Sequence, residues 1–387
     1  MIVSRQKLLK LGLLSGASLV LPAGRLTQAI LADAIPSSPV FPPFLRPLPL
    51  PSKLKPVRRD ATTDYYAITM RPDLAQILPD PRLRTPIWGY NGLFPGPTIE
   101  VKTGRTVVVT QTNMLPEATS VHLHGAVVDG NSDGHPLDLI PPGGVKVYTY
   151  PNTEHQNPDR QSARTQWYHD HAIDVTGPQV YRGLAGFYLI RDDLEKELQL
   201  PSGPYDIPLV IQDRRFNADG SLFFPPFPDF DSENGVFGDT IVVNGVMQPF
   251  LQVEPRRYRF RVLNGSNARQ YELALSSGQP LLQIATEGGL LPTPVPRSSL
   301  FIAQAERYEF IVDFTGQQGN HMVLRNLNGQ NMHHNETVRV IMQWYDVPDG
   351  PVRTDGRDFK NKYVFHCHNL EHEDHMMMGE IEVRRRF

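Results

Sequence analysis

The 387-residue sequence has a single cysteine, Cys367. An internal disulfide framework is excluded, and the lone thiol is a buried packing residue, a reactive group or a metal ligand. Charge of one sign is missing too. Against 38 Lys and Arg stand 41 Asp and Glu, so electrostatics favours neither nucleic acid nor an acidic membrane surface as a partner. No apolar run is long enough to span a bilayer. Helical periodicity shows only around "RDDLEKELQL" (191–200), which argues against a helical bundle.

Proline, by contrast, is abundant. Its 36 residues are about twice ordinary usage and suit a β-rich chain with many turns. Eight of them fall within 36–56, which reads as an extended strap. Ahead of the strap, Arg5, Lys7 and Lys10 precede the apolar run "LGLLSGASLVL" and the small-x-small site "ADA" (32–34). This pattern predicts an export signal over 1–34 and a periplasmic or extracellular destination. "SRQKLLK" resembles a twin-arginine signal with Gln6 in place of the second arginine. The general secretory route stays open, as does an N-terminal helix of the fold.

Beyond the strap, short β-branched or alternating runs recur between turn signals: "TIEVKTGRTVVVTQT", "VKVYTYP", "GFYLI", "IPLVIQD", "TIVVNG", "RYRFRVLN", "ERYEFIVDF" and "VRVIMQW". They predict an all-β chain of tandem β-sandwiches. "GPYDIPLV" (203–210) opens a fresh unit and "YDVPDGP" (345–351) marks the next junction, giving units at 35–202, 203–346 and 347–387. The last is far below the roughly 100 residues of a sandwich, so it is expected to form no independent sandwich and to lean on the first unit.

"WYHDHA…GLAGFYLIRD" (167–192) parallels "VFHCHN…MMGEIEVRR" (364–385), with Asp170 where the second copy has Cys367. Each copy carries a His-x-His pair, His169/His171 and His366/His368, and "VHLHG" adds His122/His124. Residues i and i+2 of a strand share a face, so each pair presents two imidazoles side by side. Six convergent imidazoles suit copper or zinc. Cys367 lies between two of them and would point to the opposite face. His372 and Met377 follow it at Cys-x4-His-x4-Met spacing. A thiolate, an imidazole and a thioether form most of a blue-copper site; a packed core cysteine beside a Met-rich turn is the alternative.

With these motifs the chain resembles the bacterial three-domain multicopper oxidases, in their spore-coat laccase and bilirubin oxidase branch. "IWGYNGLFPGPTIEVKTG" (87–104), "SDGHP" (132–136), "VYRGLAGFYLI" (180–190) and "YDIPLVIQDRRFNADGSL" (205–222) carry the likeness with the histidine motifs. The resemblance implies cupredoxin-like Greek-key sandwiches, two complete, with a remnant of a third. It implies a type 1 copper on Cys367, His372 and Met377. A binuclear type 3 pair would sit on His124, His169, His171, His366 and His368, and a type 2 copper on His122. Asp133 and Glu373 match acidic positions that relay protons during oxygen reduction; each also reads as a solvated loop carboxylate. Molecular oxygen and small phenolic, pigment or metal-ion donors would be the partners.

One family motif is absent. The third domain of the family opens with a second His-x-x-His-x-His, and nothing here matches it. An internal deletion, a mis-assembled reading frame or a decayed gene would all leave this pattern. A type 1 site short of a ligand is expected to be three-coordinate or water-filled, easily oxidised and at most weakly blue, with negligible phenol oxidation. A copper-binding protein without turnover, or an inactive remnant of an oxidase, is the alternative reading.

Overall fold

A computed structural model describes residues 35–152, 163–225, 235–328, 360–374 and 378–384. The export signal expected at 1–34, the run at 338–344, the unit junction at 345–351 and Met377 lie outside these residues. Strands come first in the order β1 (Arg58–Arg59), β2 (Thr63–Ala75), β3 (Thr85–Tyr90), β4 (Gly96–Lys102), β5 (Thr106–Asn113), β6 (Val121–His124), β7 (Val145–Tyr150), β8 (Arg164–Asp170) and β9 (Ala185–Arg191). One sheet runs β1-β2-β5-β7, with β3 also paired to β2; the other runs β4-β9-β8-β6.

Period-two patterning explains how the two sheets face each other. In β5, Val107, Val109, Gln111 and Asn113 are buried and the residues between them partly exposed, as expected of a strand with one face in a core. Tyr66, Ile68, Val107, Val109 and Tyr148 of one sheet share a cluster with Ile99, Val121, Leu123, Tyr168 and Tyr188 of the other. The pair is a sandwich around one apolar core. β8 breaks the alternation, because all seven of its residues are buried. Its second face, with that of β9, places Trp167, Ala185, Phe187 and Leu189 against Val210, Leu263 and Ala305 of the following unit.

That unit is built from β10 (Asp206–Arg214), β11 (Thr240–Val243), β12 (Val246–Met247), β13 (Arg257–Asn264), β14 (Tyr271–Leu275), β15 (Leu281–Thr286), β16 (Gly289–Arg297), β17 (Leu300–Ile302), β18 (Arg307–Asp313) and β19 (Leu324–Asn326). A sheet ordered β12-β11-β10-β13-β18-β15-β16 covers a smaller one ordered β17-β14-β19. Between them Leu209, Phe260, Val262 and Phe310 meet Tyr271, Leu273, Leu300 and Ile302. The outer face of β13 carries charge into the join between the sandwiches. Arg259 and Arg261, both under 2 % exposed, are bound by Glu195, Asp206 and Glu309.

Short helices α1 (Thr176–Arg182) and α2 (Leu194–Glu197) follow β8 and β9. The C-terminal part is an antiparallel hairpin of β20 (Lys360–His366) and β21 (Met378–Arg384), with α3 (Leu370–Asp374) between them. Among the described residues this hairpin joins no other sheet. No helix of the described residues is long and apolar enough to cross a membrane.

Candidate metal centre

The strand register sets the first four imidazoles. β6 and β8 pair antiparallel with His122 opposite His169 and His124 opposite Trp167. Val121, Leu123 and Tyr168 point into the first core, so the alternate residues of both strands take the other face. β8 ends at Asp170, whose carboxylate accepts from the Thr119 hydroxyl and from the amides of Ser120 and Ala172, both at 3.1 Å. His171 N donates to Ser120 O at 2.8 Å. Asp170 thus braces the turn that carries His171.

The C-terminal hairpin brings the third pair. The His366 ring lies 4.8 Å from that of His171, and the His368 ring 4.9 Å from His124 and 5.3 Å from His169. His122 stands 5.1–5.6 Å from His124, His169 and His171. All six imidazoles therefore converge from two strands and a distant hairpin. Trp167 covers one side, 4.2 Å from His169 and 5.5 Å from His124.

Hydrogen bonding leaves ring nitrogens facing each other. His169 donates Nδ1–H to Asp170 O at 2.7 Å and His122 donates Nδ1–H to Asp133 O at 2.5 Å. A ring that donates from Nδ1 keeps a bare Nε2. His366 Nδ1 faces Glu373 Oε2 at 2.9 Å and His171 Nδ1 faces Glu373 Oε1 at 3.4 Å. Their Nε2 atoms lie 3.1 Å apart. A proton on one of these nitrogens makes the contact a hydrogen bond, and a metal ion in its place would take the lone pairs of both. Both ring nitrogens of His368 and both oxygens of Glu373 are buried without a hydrogen bond, a cost a bound cation would relieve. The donor set fits copper. Among the described residues two clusters have mutually close donor atoms, His122/His124/His169 and His171/His366/Glu373.

Burial, joined by neighbouring imidazoles, pushes His169, His171 and His368 well below the ordinary histidine range. The same holds for His124, where Arg307 is the next cause after burial. Neutral imidazoles are the form that binds metal. His122 behaves oppositely: burial would lower it, but the Asp133 carboxylate outweighs that and raises it.

The remaining predicted residues stand as follows. Asp133 Oδ1 lies 3.5 Å from His122 Nδ1. Burial alone would raise this carboxyl; His122 beside it brings it below its usual value. Glu373 is buried and faces both His171 and His366. Cys367 is half-buried and belongs to neither donor cluster of the described residues. His372 lies within α3, but its side chain, like Met377, is outside what the structure describes.

Three contributors were not read from the sequence. Trp167 had a signal, since it precedes His169 by two residues and so shares its face. Arg307 had none: it is buried, bonding Thr165 O at 3.1 Å and Glu287 at 2.8 Å, and its place beside Gly125 arises only from the meeting of the sandwiches. Gly134, in "SDGHP", has φ +77°, and a Cβ there would lie 2.2 Å from Val121 O and 2.6 Å from His122 N. Gly134→Ala is expected to destabilise the chain by about 2 kcal/mol or more, read as a lower urea midpoint. An unchanged midpoint would show that the loop relaxes freely.

Comparison with known proteins bears on the same residues. Residues 73–195 and 213–345 each match a sequence pattern described as Multicopper oxidase. A laccase of Bacillus subtilis (strain 168) is 41 % identical over 372 residues, covering 85 % of this chain and 70 % of that protein. A bilirubin oxidase of Albifimbria verrucaria is 39 % identical over 307 residues, 76 % of this chain and 51 % of that one. The chain thus spans only about half to seven-tenths of the length of these two relatives. The crystal structure of a laccase from Pediococcus acidilactici Pa5930 superposes with a TM-score of 0.73 at 27 % identity, covering 90 % of this chain and 95 % of that one.

Proposed function

This chain belongs to the multicopper oxidase family, and on that premise we propose that it is a laccase-like, copper-dependent oxidoreductase. The observation that carries the proposal is the convergence of six imidazoles on one another, with His171 Nε2 and His366 Nε2 3.1 Å apart. His124, His169, His171, His366 and His368 would hold the type 3 pair, His122 a type 2 ion, and Cys367 with His372 and Met377 a type 1 ion. Bound copper supplies the one-electron chemistry by which oxygen is reduced to water at the expense of a donor. Phenols, bilirubin-like pigments and metal ions are the donors we propose.

The protein's own groups have defined tasks in this scheme. Asp133 O and Asp170 O fix the tautomers of His122 and His169, so that Nε2 carries the lone pair in each; the His169 Nε2 lies 3.3 Å from His124 Nδ1. Glu373 faces two imidazoles and Asp133 a third, which supports a role for both carboxylates in holding or passing protons at the edge of the cluster. Cys367 is covalently continuous with His366 and His368, the shortest through-bond link between a donor-side site and the cluster. Export is part of the proposal, supported by the basic, apolar and small-residue pattern at 1–34.

The test is copper stoichiometry followed by oxygen uptake with a phenolic donor. Copper binding with donor-dependent oxygen consumption is the result this reading requires, and it would show that the absent third-domain motif is compensated. Copper binding without consumption would make this a copper-binding protein, and no copper binding would end the reading.

A further inference from the structure

The hairpin that carries His366 and His368 reaches the first sandwich without sharing a sheet with it, so something else must set its position. The side chain nearest the meeting point of all three parts is Asn267, in the turn between β13 and β14 and 1 % exposed. Its Nδ2 donates to Gly177 O of α1 at 3.0 Å and to Glu371 Oε1 of α3 at 2.6 Å. Its backbone carbonyl accepts from Leu370 N at 3.3 Å. One residue of the second sandwich is bonded to the first sandwich and to the C-terminal hairpin at once.

Neighbouring contacts close the same junction. Glu371 Oε2 accepts from Val236 N at 3.2 Å. Asp374 accepts from Thr176 N at 2.9 Å and Gly177 N at 2.7 Å. A Cβ at Gly177 would lie 2.8 Å from Asp374 Oδ2 and 3.3 Å from Glu371 Oε1, so these carboxylates would have to move to admit one. The junction is coupled closely to the imidazoles: α3 starts two residues after His368, and α1 five residues after His171. With Cα atoms 3.8 Å apart along the chain, little slack separates this junction from the facing rings.

We propose that Asn267 is a positioning residue for the metal centre, setting the register at which His366 and His368 meet His171 and His124. It touches no imidazole and acts through α1 and α3. The inference rests on the copper reading given above, but half of its test does not.

Hydrogen exchange of the metal-free full-length chain decides the positioning claim by itself. In Asn267→Ala, amides of 366–374 are expected to exchange roughly 10-fold faster or more, with both sandwiches unchanged. Copper titration of the same variant should show a loss of affinity of about 10–100-fold and an altered copper electron paramagnetic resonance spectrum. Asp374→Asn, which keeps one acceptor and the volume, should shift both readouts in the same direction by less. The pair Asn267→Asp with Glu371→Gln reverses one hydrogen bond and should recover part of the loss seen in Asn267→Asp alone. Unchanged exchange over 366–374, or a rise spread evenly over both sandwiches, overturns the proposal; so does an unchanged copper spectrum in a variant that binds copper. Should the unaltered chain bind no copper, the copper reading fails and the exchange result still stands. If Asn267→Ala does not fold, Asp374→Asn carries the same comparison.

Discussion

Glu309→Ala is expected to lower the stability of the folded chain by about 3–5 kcal/mol, the range for breaking a buried ion pair by removing one partner. Glu309 is 1 % exposed. It accepts from Arg259 Nε, Arg261 Nη1 and the Thr165 hydroxyl, each at 2.7 Å. Arg261 also binds Asp206 at 2.8 and 3.1 Å and Glu195 at 2.9 Å, and Arg259 binds Glu195 at 2.5 Å. Three carboxylates thus balance Arg259, Arg261 and the partly exposed Arg191, which binds Asp206 at 2.6 Å. Removing Glu309 leaves two buried guanidinium groups with surplus charge and the Thr165 hydroxyl without its acceptor. Desolvation of that surplus, not the lost attraction alone, makes the effect large. A urea midpoint shifted at constant m-value would measure it.

The same network governs acid stability. Burial alone would raise Asp206 and Glu309, but Arg261 first, with Arg191 beside Asp206 and Arg259 beside Glu309, carries both below their ordinary values. A carboxyl depressed in the folded state stabilises it fully above the unfolded value, about 3.9 for Asp and 4.3 for Glu, and that contribution is lost as pH falls through the folded value. Stability should therefore drop from about pH 4 downward, and Glu309→Ala should flatten that limb. Because the groups are buried, added salt should change it little. An acid limb identical in the variant would place the acid-sensitive groups elsewhere.

How much of this could be read from the sequence depended on the range of the contact. β5 was legible from its β-branched run, and burial alternates along it, with Val107 and Val109 in the core and Thr106, Val108 and Thr110 partly exposed. "RYRFRVLN" alternates charged with apolar residues, and by that logic its arginines face water. Arg257 does face water, but the structure buries Arg259 and Arg261, because the second face of β13 meets the first sandwich and three carboxylates bring the neutralising charge. Nothing local to residues 257–264 announces those partners. The histidine pairs were legible for a local reason: period two fixes their common face, and the duplication of the motif tied the first unit to the last. Asn267 was not, since its role exists only where residues 177, 267 and 371 meet. Cys367 illustrates the boundary between the two cases. Its place between His366 and His368 follows from the sequence, while the ligands that would complete a site around it depend on His372 and Met377, whose side chains the described residues do not include.

His171→Ala is the substitution expected to affect the centre most. The His171 ring lies 5.1 Å from His122, 5.7 Å from His169 and 4.8 Å from His366, so it joins the first-sandwich imidazoles to the C-terminal pair. Its Nε2 is the atom opposite His366 Nε2 at 3.1 Å. Losing an outer partner of a metal ligand typically weakens binding or activity about 10–100-fold, and loss of a donor itself should reach at least the upper end, roughly 100-fold. Metal-free and copper-loaded chains should respond differently. Without metal, the deletion leaves a small cavity and removes one of two facing nitrogens, so thermal stability should change modestly. With copper, the rise in melting temperature depends on the ratio of free metal to its dissociation constant, and weaker binding should shrink that rise sharply. His321→Ala, at an exposed position, should leave it intact. A copper-induced rise that survives His171→Ala at full size would show that the metal is held elsewhere, and that the facing nitrogens are an accident of packing.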